Sequence, residues 1–339
     1  MDDSSASSPS IRAVALAAGV STGTVSRALK NLPGLSEATR AHVVAVASSL
    51  GYDTGKLRTR RLRRVTLLLN RMHRSQFHNP FYSLILHGVE EACHDTGLAL
   101  SYTSIGPGDS LTETLWDRHD PDGLICAGFL EDDLLKRLHH RGRPMVLVDY
   151  HWQGVEAVNP DNEAGAFLAT EHLIKAGYQR VAFLYAALAH YSIHMRMRGY
   201  RAALFKHGLL ADPSLEEGMI LPGDYVEEAK NAMRRLLAGP HRPDAVFACS
   251  DVAAMAAITV IREAGLSVPG DVGVVGFDDI PSSAGHTPSL STIHVDTNGL
   301  GAQAVERLLA INQGEPILLP KLPVQLVERE SSRRHSPNE

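Results

Sequence analysis

The stretch from Ser10 to Tyr52 constrains this chain most. Three short, apolar-faced segments there are divided by cap residues at helix-turn-helix spacing. Ser10 is an N-cap residue, and Ile11, Val14, Ala15 and Ala18 follow at helical spacing. Gly19 stops that helix as a residue able to take a positive φ. Ser21 caps a second helix, Thr22 to Lys30, with Val25, Ala28 and Leu29 on one face. Pro33-Gly34 marks a turn, and Ser36 caps a third helix, Glu37 to Leu50, ended by Gly51. Two helices joined by such a turn form the unit that lays its second helix in the major groove of duplex DNA. The third closes a core that two helices cannot bury alone. A plain three-helix bundle is the alternative, disfavoured because turn, caps and polar face agree.

Charge distribution supports a nucleic-acid site. The 339 residues carry a net charge of −5, which alone does not suggest DNA. Residues 1–64, however, carry +6 and the remainder −11. A basic head on an acidic body confines DNA contact to the head. Thr22, Gly23 and Arg27 lie where base edges are met, within the stretch Ser21, Thr22, Gly23, Thr24, Ser26 and Arg27 assigned to DNA. Arg27 suits a guanine and the Thr22 methyl a thymine. A phosphate clamp is the alternative for Arg27. Gly23 has nothing to read with, so direct readout there is weak or absent.

Ala17-Ala18-Gly19-Val20-Ser21, Thr24-Val25-Ser26-Arg27 and Leu50-Gly51-Tyr52 resemble the DNA-binding domain of the LacI/GalR family of bacterial transcription regulators. The basic run from Lys56 to Arg64 then reads as a hinge, with Arg58, Arg60 and Arg61 on phosphates. In that family a hinge helix folds on operator DNA and wedges a leucine into the minor groove, and Leu57 matches that leucine. The chain departs from the pattern: the segment before Leu57 is about one helical turn short, and Asp53-Thr54-Gly55 replaces the usual Pro-Asn start. A shortened or absent hinge helix follows.

From Val65 onward strand-like and helix-like runs alternate, and Gly97, Gly177, Gly208, Gly265 and Gly314 end five of the helices. That alternation implies two lobes of doubly wound parallel sheet, with ligands held outside the carboxyl ends of the strands. Pro80-Phe81-Tyr82, Asp161-Asn162, Arg198-Gly199-Tyr200 and Val275-Gly276-Phe277-Asp278-Asp279 resemble the same family's sugar-binding core, in the same order. The expected fold is an all-α three-helix head on an α/β, two-lobed, periplasmic-binding-protein-like effector domain. The expected divisions are a disordered 1–9, a head at 10–53, a hinge at 54–64 and a body at 65–330. Lobe one takes about 65–160 and 291–321, lobe two about 161–290 and 322–330, with crossings near Pro160, Leu290 and Lys321. Residues 331–339 read as a tail without leucine heptads, so no coiled-coil tetramer is expected.

The effector candidates are strand-end and motif residues. Asp149 and Asp278 each end a strand, where a carboxylate accepts paired hydroxyls; helix capping or an inter-lobe salt bridge is the alternative. The resemblance implies that Arg196 contacts effector and that Phe81 and Tyr225 stack on it. Tyr82, Ser250 and Asp251 complete the set, whereas Asp161 reads as a helix cap. An internal carboxylate is the alternative partner for Arg196.

Other chemistries fit poorly. Gly108-Asp109-Ser110-Leu111 spells the GDSL esterase word, but no late Asp-x-x-His accompanies it, and Ser110 reads better as a helix cap. Gly106-x-Gly108 lacks the third glycine of a dinucleotide loop. Cys93, Cys126 and Cys249 lack CxxC spacing. The 17 histidines are scattered, and His190 and His194, four apart, read as core or surface residues. No metal or cofactor is implied. The N-terminus has no apolar signal segment and no run is long enough to span a membrane, so a cytoplasmic place is expected. The reading is a dimeric, effector-controlled repressor on a palindromic operator; a solute-binding protein without regulation is the rival.

Overall fold

A computed structural model of the chain describes residues 9–29, 34–52, 62–70, 80–105, 116, 119–221, 223–315 and 321–334. The hinge candidates Leu57, Arg58, Arg60 and Arg61 lie outside these residues, as does Ser110.

The head is α1 (Ile11–Ala18), α2 (Thr22–Leu29) and α3 (Glu37–Ser49). Its caps are those the sequence implies. Ser10 Oγ accepts from Ala13 N–H at 3.3 Å, Ser21 Oγ from Thr24 N–H at 3.1 Å and Ser36 Oγ from Thr39 N–H at 3.1 Å. Gly19 takes φ 66°, which lets α2 cross α1. Val14, Val25 and Val43, fully buried, bring one side chain from each helix into the core.

Lobe one begins with β1 (Arg64–Asn70), α4 (Phe81–Thr96), β2 (Ala99–Ile105), β3 (Gly123–Ala127), α5 (Asp132–His140), β4 (Met145–Val148) and β5 (Glu156–Val158). Its strands are all parallel, in the order β2-β1-β3-β4-β5. Lobe two is α6 (Asn162–Lys175), β6 (Val181–Tyr185), α7 (Tyr191–Lys206), β7 (Glu216–Gly218), α8 (Tyr225–Ala238), β8 (Ala245–Ala248), α9 (Asp251–Glu263), β9 (Gly273–Val275) and α10 (Pro281–Gly285). Its sheet is also parallel, in the order β7-β6-β8-β9. Then come β10 (Thr292–His294), α11 (Thr297–Gln313) and β11 (Gln325–Val327), with β10 antiparallel to β11. The short strands β5 and β7 are not anticipated by the sequence pattern.

Two boundaries differ from expectation. The second crossing lies at Val295-Asp296, not near Leu290. Gly276 N–H donates to Ser291 O and Asp278 N–H to Ile293 O, both at 2.9 Å, so residues 291–294 extend the sheet of lobe two. Asp296 then caps α11, which packs on α4 in lobe one. The body also does not end at 330. Ser331 and Ser332 are fully buried, and Ser331 Oγ donates to Val274 O at 2.6 Å while accepting from Ser291 N–H at 2.8 Å. Polar composition suggests a tail; the Ser331 hydroxyl instead satisfies backbone groups at the edge of β9, and the Ser332 hydroxyl donates to Ser291 Oγ at 2.7 Å.

Helices α4 and α11 touch backbone to backbone through Gly88 and Gly301. A Cβ on Gly88 would lie 2.8 Å from Asn298 Cα, and one on Gly301 2.6 Å from Val89 N. A Gly88→Val substitution is therefore expected to cost about 2–3 kcal/mol, because helix axes rather than side-chain tips must move apart. Urea unfolding checks it, and an unchanged midpoint would count against this packing. No helix among the described residues is long and apolar enough to cross a membrane.

Candidate functional site

In the head, Thr22, Gly23 and Arg27 are exposed on one face of α2, with Ser26 half-buried beside them. Ser21 and Thr24 have local work: their hydroxyls meet at 2.9 Å and close the cap. Arg40, counted in the basic head, turns inward, its Nη1 donating to Ala28 O at 3.3 Å and Arg27 O at 3.4 Å. It thus covers carbonyls at the C-terminal end of α2, where a cation also complements the helix dipole. A Cβ on Gly23 would meet only Ser21 Oγ, at 3.6 Å, so packing does not demand glycine there.

Between the lobes lies a cavity of about 350 Å³, opening at the carboxyl ends of the parallel strands. Phe81, Tyr82, Asp149, Arg196, Tyr225, Ser250 and Asp278, all expected from sequence, line it. Asp149 follows β4 at φ 55°, and Asp278 follows the β9 region at φ 114°. Non-glycine residues rarely hold such backbone angles, and each costs about 1–3 kcal/mol unless its surroundings enforce it. The strain aims both carboxylates into the cleft.

Asp149 accepts from Tyr82 Oη–H at 2.8 Å and from the Ser192 hydroxyl, so lobe one and α7 meet on one carboxylate. Burial and the adjacent Asp149 push the Tyr82 phenol well above its ordinary pKa. Arg196 is buried. Its Nε donates to Asn162 Oδ1 at 2.8 Å, its Nη1 to Cys249 O, and its Nη2 lies 3.6 Å from Asp278 Oδ1. Its guanidinium carbon sits 3.6 Å over the Phe277 ring. Burial raises the Asp278 carboxyl well above the usual range, and Arg196 opposes the shift. Arg196 therefore lines the cavity and pairs with an internal carboxylate, the alternative partner the sequence offers for it.

Asp251 does not face the cavity. Its carboxylate accepts from Ile280 N–H at 2.9 Å, from Ser283 Oγ–H at 2.7 Å and from the Thr292 hydroxyl. Successive residues at a helix start diverge by about 100° (3.6 residues per turn). Ser250 thus turns to Tyr225 at 2.9 Å while Asp251 turns into lobe two. Asp161 caps α6, as read.

The cavity has members that sequence reasoning passed over. Asn70 ends β1 and Phe129 lies two residues beyond β3, positions the strand-end rule alone marks. His190 caps α7 from lobe two and places its ring 3.9 Å from Asp149 Oδ2; burial lowers its pKa, with Asp149 opposing. Nothing in the local sequence marks where α7 begins, so sequence alone gives His190 only a core or surface place.

Comparison with known proteins matches this geometry. Residues 10–54 match the family described as bacterial regulatory proteins, lacI family, and residues 170–332 match the periplasmic binding protein-like domain. The ribose operon repressor of Escherichia coli is 33% identical over 310 residues, covering 87% of this chain and 91% of that protein. The HTH-type transcriptional repressor PurR of Photobacterium profundum is 30% identical over 308 residues, covering 88% and 90%. Among solved structures, a complex of the transcriptional regulator CelR with cellobiose has TM-score 0.71 and 31% identity, covering 95% of this chain and 99% of that one. The lac repressor dimer bound to operator and an anti-inducer has TM-score 0.70 and 25% identity, covering 96% and 99%. The named relatives are repressors rather than enzymes, which sets aside the esterase reading of Ser110. The chain belongs to the lacI family of bacterial regulatory proteins and is a DNA-binding transcription regulator under the control of a small-molecule effector.

Proposed function

We propose that this regulator acts in the cytoplasm as a homodimeric repressor, reads a palindromic operator with two heads and takes a sugar-like effector between its lobes. One observation carries the reading. Asp149 from lobe one and Asp278 from lobe two converge with Arg196 on one cavity, where paired hydroxyls of a polyol find acceptors on both sides. A ligand held by both lobes favours one inter-lobe angle. The crossings at Pro160, Val295 and Leu322 pass that angle toward the head, and operator binding must shift effector affinity by the same factor. The repressor relatives and the cellobiose-bound neighbour support this choice of ligand and partner.

Selecting bound duplexes from a random pool with full-length protein at moderate salt tests it. A palindrome is expected, since a single head holds an operator weakly; its half-site spacing reports whether the short hinge still positions Leu57. Absence of any enriched sequence would count against the reading. On the selected operator, Arg27→Ala is expected to cost about 1–3 kcal/mol and to relax preference at one base pair per half-site. A uniform loss across sequences, with the salt slope reduced by about 0.9 per head, would mean a phosphate contact instead.

A further inference from the structure

We infer that the effector carries a flat apolar ring on its sugar-like ring, as an aryl glycoside or a nucleoside does; this rests on the cleft being the effector site. The polar side chains facing the cavity are largely engaged with one another. Each Asp149 carboxylate oxygen already accepts one hydrogen bond, from Tyr82 or from Ser192, and keeps one lone pair; Tyr225 and Ser250 share a hydroxyl pair, and Asn70 Nδ2 donates to Phe129 O at 2.9 Å. Arg196 is divided between Asn162, Cys249 O and Asp278, with its flat face on Phe277.

Much of the remaining lining is hydrocarbon: Phe81 and Phe129 from lobe one, Ile193, Leu221, Ala186 and Ala187 from lobe two. A free sugar carries hydroxyls around its whole rim. Those turned to these walls lose water without gaining partners, which is unfavourable for each group. An aromatic ring loses nothing there and gains edge or face contacts with the two phenylalanines. Asp278 keeps capacity for the sugar: Arg196 is the single side chain that pairs with it among the described residues. The cavity of about 350 Å³ sits near the low end of small-molecule sites, about 300–1,000 Å³.

Calorimetric titration of the full-length protein decides this. The probes are p-nitrophenyl glycosides of glucose, galactose and xylose against their methyl glycosides, and adenosine and cytidine against methyl riboside. In at least one pair the ring-bearing member is expected to bind about thirtyfold more tightly, the gain from burying on the order of 80 Å² of ring. A glycoside pair or a nucleoside pair showing this separates the two sources, and Leu221→Asn should shrink the preference. Affinities within about threefold in every pair that binds would overturn the ring. Binding by no probe, or binding that Arg196→Gln leaves unchanged, would overturn the effector reading of the cleft itself.

Discussion

An Arg196→Ala variant is expected to lose its response to effector and about 3–5 kcal/mol of stability, because it leaves a buried carboxylate without its countercharge. Arg196 ties three segments to α7 at one point: α6 through Asn162, the end of β8 through Cys249 O, and the stretch after β9 through the Phe277 ring and Asp278. Lysine does not replace it. A single ammonium cannot serve three acceptors in one plane and stack on a ring, so Arg196→Lys should recover little. Much of the stability loss belongs to Asp278 rather than to the arginine itself. The double variant Arg196→Ala, Asp278→Asn is therefore expected to regain most of the stability while remaining unresponsive. Urea unfolding reads the first quantity, and operator release at saturating ligand reads the second. A single variant within about 1 kcal/mol of the parent would show that the pair is solvated and the cleft open.

The head was legible in the sequence because its signals are local. Ser10, Gly19, Ser21 and Ser36 each act within a few residues, and each occupies the cap or turn its chemistry implies. The parallel lobes were legible for a related reason: apolar runs such as Gly123–Ala127, buried throughout, admit few other readings. What escaped depends on contacts made far along the chain. Ser331 meets Val274 across 57 residues, so a polar run resembling a tail is part of the core. Residues 291–294 belong to lobe two through hydrogen bonds to the β9 segment, which no periodicity encodes. In the cleft, strand-end carboxylates were legible, but Asp149 and Asp278 reach their orientation through backbone angles that residue type does not announce. Ser250 and Asp251 are adjacent and equally polar in sequence, and the turn of the helix separates their roles.

Asp251 carries the second large effect. It is fully buried, and three donors converge on it from two other segments. Asp251→Ala is expected to cost about 3 kcal/mol, since the Ile280 N–H cannot turn to another acceptor as the Ser283 and Thr292 hydroxyls can. The loss should reach the cleft as well, because Ile280 and Ser283 fix the turn that follows Asp278 and Asp279. The pH dependence has a definite sign. Burial raises the Asp251 carboxyl to about 7, against about 4 in the unfolded chain. Between those values the folded state keeps a proton that the unfolded state has released. This contribution to stability is therefore fully present below about pH 4 and is lost as pH rises through 7. Asp251→Asn carries no such proton. Thermal unfolding of parent and Asn variant from pH 4.5 to 8, taken as a difference, should thus turn against the parent as pH rises, with most of the change complete by about pH 7. A flat difference would mean that the three donors hold the carboxylate ionised throughout, and that the turn behind Asp278 is built on a charge rather than on a neutral acid.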